Sequence, residues 1–192
     1  VILGESNPEF VALAEAIKGW EGCVDHFYLD TKGLVTIAIG HMVRSLDAAL
    51  ALDGFVVGSR TASKSEIATD FSVVQYAKPA MSATYYAPKC VTRMTPDAIL
   101  RLFGNDTDTS QKELILAVPG FTDMPEPVQA AVIDMHFTMG ISRLRTKFPK
   151  FMGHMLARNY AGMLAECKRT EDSENAKRRN VWTEAQIRKA VA

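Results

Sequence analysis

The sequence predicts an α+β chain with a small β-hairpin lobe and a larger helical lobe. Three observations predict it. Phe10, Leu13, Ala14, Ile17 and Trp20 recur at helical spacing. After Gly22 the period changes: "HFYLD", a turn at "TKG", and "LVTIAIG" read as two strands of a hairpin. From Thr95 the chain reads as helical to its end, and "PEPVQAAVIDMHFTMG" is apolar nearly all round, as a central buried helix should be.

The elements follow in order. Asn7-Pro8-Glu9 starts the first helix with a capping side chain, a proline in the first turn and an acid near the positive end of the dipole. Gly22 stops it. Residues 43–94 are less regular. They hold one helix announced by the capping box Ser63-Lys64-Ser65-Glu66, and an aromatic stretch, "YYAPKC", that reads as strand or loop. Thr95-Pro96-Asp97 caps the next helix, whose apolar positions are Ile99, Leu102 and Phe103. Later breaks are expected at Gly140, Pro149, Asn159 and the polar "TEDSEN".

Bulk properties narrow the class. The chain has 192 residues, 47% apolar and 23% charged, an ordinary globular composition for one domain. No apolar run approaches the ~20 residues of a membrane span. "VILGESNPEF" lacks the basic and apolar regions of a signal peptide and begins with valine, so a processed chain or a piece of a longer protein is expected. Cys23, Cys90 and Cys167 are odd in number and far apart, which supports neither a zinc cage nor a disulfide framework. No two of the four histidines share a ligand spacing, so no metal site is expected. Net charge is zero but uneven. Residues 1–139 carry 10 Lys+Arg against 17 Asp+Glu, a net of −7, and residues 140–192 carry 12 against 5, a net of +7. The plainer reading of each cation is a solvated helix face; the block as a whole suggests a basic surface, containing Lys177, Arg178 and Arg179, that could meet a polyanion, the alternative being that Arg178 or Arg179 pairs with Glu21.

The chemistry concentrates in "WEGCVDHFYLDTKGLVTIAIGH", residues 20–41. Glu21 follows Ile17 by four residues and Ala14 by seven, so it falls on the apolar stripe at the last turn of its helix. Desolvation and the negative end of the dipole both favour a protonated carboxyl there, which suits a general acid. On the second strand Val35, Ile37 and Ile39 share one face, and Leu34, Thr36 and Ala38 the other. The aliphatic face suits the core and leaves Thr36 facing a cleft. Asp30, at the turn, is expected to stay ionised. Two carboxyls of unequal pKa are the equipment of glycoside hydrolysis. The plainer reading is an exposed helix-terminal Glu21 and a turn-forming Asp30.

This pattern resembles the lysozymes of T-even and related tailed phages. Glu21 is followed by Asp30, by Thr36 and by "TIAIGH". "TPDAILRLFGNDTD" (95–108) is similar to the family's long helix joining two lobes, and "DMHFTMG" (134–140) to its central helix. The resemblance covers residues 10–42 and 95–140, is diffuse over 141–192 and is absent over about 43–94. There the chain is longer and looks more like the lysozyme domains of pesticin-type bacteriocins and type VI secretion effectors. Ala38 stands where the family usually has glycine, a replacement expected to be tolerated because alanine is small on a cleft-facing strand.

The resemblance implies a single lysozyme-like catalytic domain over 1–192. Its hairpin lobe would span about 21–94, including the inserted segment 43–94, and its helical lobe 1–20 and 95–192. It implies a muramidase that cleaves peptidoglycan between N-acetylmuramic acid and N-acetylglucosamine with inversion, without metal or cofactor. Glu21 would be the general acid, with Asp30 and Thr36 positioning water. Met42 and Phe137 match positions that line the sugar cleft, and core packing suits both equally. His41 and Asp106 match a structural ion pair. The expected partners are glycan strands and, for a toxin, a cognate immunity protein. The chain would be a monomer with no nucleic-acid partner and no membrane insertion, acting in the periplasm or wall of a target bacterium. The competing classes are an inactive wall-binding module and an anionic-polymer binder using "KRRNVW".

Overall fold

A computed structural model describes residues 7–170 and 173–191 and, at Glu21, the backbone alone. The chain divides into two units, residues 21–105 and residues 1–20 with 106–192. It is mixed α+β, mostly helical, with small antiparallel sheets.

The first helix, α1 (Pro8–Glu21), begins where the sequence places it: Asn7 Oδ1 accepts from Glu9 N–H at 2.8 Å. Phe10, Leu13 and Ile17 are its buried stripe. Gly22, with φ +79°, ends it.

Strands β1 (Val24–Leu29), β2 (Val35–Ala38) and β3 (His41–Met42) form an antiparallel sheet in the order β1-β2-β3. The segment after it folds into more than the sequence announces. It contains α2 (Leu46–Ala51), β4 (Phe55–Val57), β5 (Arg60–Thr61), α3 (Lys64–Gln75), α4 (Ala83–Tyr86) and β6 (Arg93–Met94). β4, β5 and β6 make a second small sheet, unforeseen because its strands are two or three residues long. "YYAPKC" is not strand. It closes α4 and forms a 3-10 turn over Ala87–Lys89, with the Tyr86 hydroxyl donating to the Lys78 carbonyl at 2.8 Å. The Ser63–Glu66 capping box is present in both directions.

This segment packs onto the hairpin. α3 lies against β1 and β2, and α4 against β1. Phe27 of β1 meets Phe55 at 5.3 Å and Phe71 at 5.9 Å between ring centroids, the latter edge to face. His26 Nε2 meets the Ala83 carbonyl at 2.9 Å. Asp70, buried in α3, accepts from Thr92 N–H at 2.7 Å and from its hydroxyl at 2.6 Å. Gly54, with φ +75°, is required: a Cβ there would lie 2.2 Å from Ala98 Cβ.

α5 (Pro96–Ala117) runs through the boundary between units. α6 (Glu126–Lys147) is buried without interruption from Val128 to His136. Gly140 (φ 72°, ψ 164°) leaves the helical conformation, so α6 is two helical stretches meeting at a kink where the sequence places a break. α7 (Pro149–Leu156), α8 (Tyr160–Glu166) and α9 (Glu174–Arg188) complete the helical unit, with Asn159 and Ser173 capping the last two.

Within α6 sits a carboxylate, Asp134, with no exposure to solvent. Arg169 Nη2 donates to its Oδ2 at 2.6 Å, and Arg179 Nη1 donates to its Oδ1. Burial pushes the Asp134 carboxyl up, while the two guanidiniums hold it down by charge and hydrogen bond. The Arg179 guanidinium also lies 4.8 Å from the centre of the Trp20 ring, and Trp20 meets Trp182 edge to face at 5.6 Å. Arg179, expected on a basic surface, is therefore interior, only 3% exposed.

Two predictions follow from α6. Asp134→Ala strands two buried guanidiniums and should cost about 3–5 kcal/mol in urea unfolding. His136, 5% exposed, has Nε2 3.0 Å from Glu113 Oε2. Burial lowers its pKa, outweighing the opposing charge and hydrogen bond of the half-exposed Glu113. The unfolded chain then takes up this proton first as pH falls. The contribution is complete above the unfolded value of about 6.5 and is lost as pH falls through the folded one. His136→Gln should flatten the decline in stability between pH 7.5 and 5. An unchanged decline would mean that folding does not alter this imidazole's affinity for its proton, and a steeper one that Glu113 holds it charged.

Candidate functional site

The hairpin holds three of the expected residues. Glu21 is the last residue of α1, but its side chain, and with it the expected apolar-stripe position and raised pKa, lies outside the described residues. Asp30 occupies the turn. Its Oδ1 accepts from both Lys32 N–H and Leu34 N–H at 2.8 Å, and its backbone closes the turn with Gly33 and Leu34. Oδ2 has no partner among the described residues. Asp30 is half-buried, and its carboxyl is fixed at one oxygen.

Thr36 lies on β2 opposite Tyr28 of β1 and Met42 of β3. Residues directly opposite in an antiparallel sheet share a face, so Tyr28, Thr36 and Met42 form one row. The expected alternation of core and cleft along β2 is absent: Val35, Thr36, Ile37, Ala38 and Ile39 are all buried. Thr36 is 4% exposed and donates to the Leu34 carbonyl at 3.1 Å. Packing of α3 and α4 on the hairpin explains why strand period alone fails here. Tyr28 is a neighbour that the sequence reading did not name. It stands two residues before Asp30 and opposite Thr36, and the pairing of the hairpin strands was the available signal.

Ala38 departs from expectation in its reason. It takes φ +58°, a left-handed conformation that costs an L-residue free energy, and Gly40 follows with φ +75°. A glycine would be favoured at this position by backbone conformation, rather than by size on a cleft face.

The remaining expected residues are placed as follows. Met42 is half-buried on β3, and His41 stands beside it, opposite Ile37. Phe137 is half-buried on α6, and Asp106 half-buried on α5. Phe137 and Asp106 belong to the helical unit, Met42 and His41 to the other. Among the described residues no group of three His, Cys, Asp or Glu side chains is arranged to hold a metal ion, and no helix is long and apolar enough to cross a membrane. The three cysteines are free thiols, and burial pushes Cys90 up to about 12.

No family model matches the sequence, and no curated protein matches it either.

The left-handed backbone at residue 38 makes a prediction. Ala38→Gly removes strain but also a buried methyl worth about 0.8 kcal/mol, so stability should stay within about 1 kcal/mol of the parent. Ala38→Val adds volume and β-branching at positive φ and should cost about 2–4 kcal/mol by thermal or urea unfolding.

Proposed function

We propose that the protein is a peptidoglycan muramidase with a lysozyme-like fold. The observation that carries the reading is the order of Glu21 at a helix end, Asp30 in a hairpin turn and Thr36 on the return strand. In this reading Glu21 protonates the glycosidic oxygen between N-acetylmuramic acid and N-acetylglucosamine. Asp30, fixed through Oδ1, presents Oδ2 to the attacking water, and Thr36 helps to hold that water. Attack from the opposite face gives inversion, for which a carboxyl separation of about 6.5–9.5 Å is needed. By the resemblance, Met42 and Phe137 stand at sugar-binding positions, and His41 and Asp106 at positions of a structural ion pair. No metal or cofactor takes part. The protein acts as a monomer on the wall of a target bacterium, as a phage lysis enzyme, a bacteriocin or a secreted effector. In the latter two roles an immunity protein would be its partner.

The test is clearing of purified peptidoglycan, with product ends identified by mass spectrometry. New reducing muramic-acid ends are expected. Glu21→Gln keeps the shape but cannot donate the proton. It should lose about 10²–10⁴-fold in rate or more, with thermal stability unchanged or modestly raised. Full activity in Glu21→Gln would falsify the assignment. Sedimentation with peptidoglycan but no new ends in the parent chain would make it a wall-binding module instead.

A further inference from the structure

β1 brings together two side chains that a regular strand would separate. Consecutive residues point to opposite faces of a sheet, and Asp25 and His26 are consecutive. The pairing of β1 with β2 is irregular between Val24 and Tyr28, and such an irregularity re-aims the side chains within it. His26 Nδ1 lies 2.8 Å from Asp25 Oδ1, and Nε2 lies 2.9 Å from the Ala83 carbonyl of α4. His26 is buried, while Asp25 is exposed.

Both neighbours of the ring are acceptors. A carbonyl oxygen has no proton to give, and neither has an ionised carboxylate. A neutral imidazole carries one N–H, so it serves one oxygen and turns a lone pair to the other. The imidazolium carries two and serves both. The change between these forms ordinarily falls between about pH 5 and 8. The charged groups around the ring are few. β6 supplies Arg93, whose Nε lies 3.6 Å from the same Asp25 oxygen. α3 holds the buried Asp70, which is turned to Val91 and Thr92. The turn after α4 holds Lys89, seated over the Tyr85 ring at 4.5 Å. β2 has no titratable side chain.

The Ala83 contact holds more than α4. Tyr86, wholly buried, ties the Lys78 carbonyl to the same helix. The segment between them lies against the hairpin turn, since a Cβ on Gly33 would stand 4.0 Å from Pro79 Cβ. Within it Ala80 takes φ +58°, a conformation kept only where the surroundings impose it.

We infer that His26 is a pH-sensitive clasp between the hairpin and the inserted segment. With both nitrogens protonated it ties α4 to β1. On losing a proton it keeps the charge-assisted bond to Asp25 and gives up the Ala83 carbonyl, which loosens α4 and the segment over the turn. The inference does not rest on the muramidase reading, and no part of its test measures activity.

The experiment follows the His26 ring nitrogens of the intact chain by NMR from pH 5.5 to 8.5. Amide exchange at Tyr85, whose N–H donates to the Ser82 carbonyl at 3.0 Å, is measured alongside and corrected for the chemical rate at each pH. Protection of Tyr85 should fall about fivefold or more as the ring loses its proton, while Phe71 of α3 keeps its protection. His26→Gln, which does not titrate, should show no such fall. Asp25→Asn, at an exposed side chain, should move the loosening to lower pH. A ring that keeps the same protons over the whole range overturns the inference. So does Tyr85 protection that ignores the ring, an equal fall at Phe71, the same fall in His26→Gln, or an unmoved transition in Asp25→Asn.

Discussion

The helical unit is organised around one carboxylate. Asp134 has no solvent exposure, and its two oxygens are taken by Arg169 and Arg179. Those arginines come from the segment after α8 and from α9, 35 and 45 positions beyond Asp134 in the sequence. Apolar packing alone would let these helices slide. A buried charge with fixed hydrogen-bond geometry does not, because any displacement leaves an ion without its partner. Arg179 also donates to Thr138 one turn along α6 at 2.6 Å and stacks on Trp20 of α1. Asn175 of α9 donates to the Trp20 carbonyl at 2.9 Å. One ionic centre thereby fixes the position of α1's C-terminal turn, immediately before Glu21.

The hairpin unit achieves its own rigidity differently. Asp30 replaces several turn-forming residues by accepting from two backbone N–H groups through a single oxygen. The inserted segment then clamps the strands from outside, through an aromatic cluster on Phe27 and the His26 contact with α4. β1 and β2 alone would be a hairpin ribbon, marginally stable in water, and β3 adds only two residues to it. The insertion turns this ribbon into the buried centre of a unit, at the cost of the open strand face that Thr36 was expected to occupy.

What was legible in the sequence divides along physical lines. Features fixed within a few residues were read correctly: the caps at Asn7 and Ser63, the break at Asn159, the stop at Gly22, the hairpin turn and the apolar run of α6. Features set by partners far along the chain were not. "YYAPKC" became helical because Tyr86 is wholly buried and bonded to Lys78. The strand that carries Thr36, β2, is packed by α3, whose residues begin 28 positions further along the chain. Of the site, the positions of Asp30 and Thr36 on the hairpin were visible from period and spacing. The left-handed backbone at Ala38 was not, because alanine carries no signature of positive φ as glycine does.

The charge pattern shows the same division at a larger scale. A net of +7 over residues 140–192 invites a reading as a continuous basic surface. A count of charges contains no information on depth, and arginine is the cation best suited to burial, because its planar fork can satisfy a carboxylate and a hydroxyl together. Arg169 and Arg179 take that course, at 7% and 3% exposure. All five lysines of the segment are left outside, since a hydrated ammonium group resists burial, along with Arg143, Arg145, Arg178 and Arg188. The segment's positive charge therefore has two separate consequences. Its buried share positions helices and does not respond to salt. Its exposed share remains available to an anion and is screened over about 8–10 Å at physiological salt. Salt sensitivity in this protein should trace to the exposed residues alone, even though the sequence presents both sets as one block.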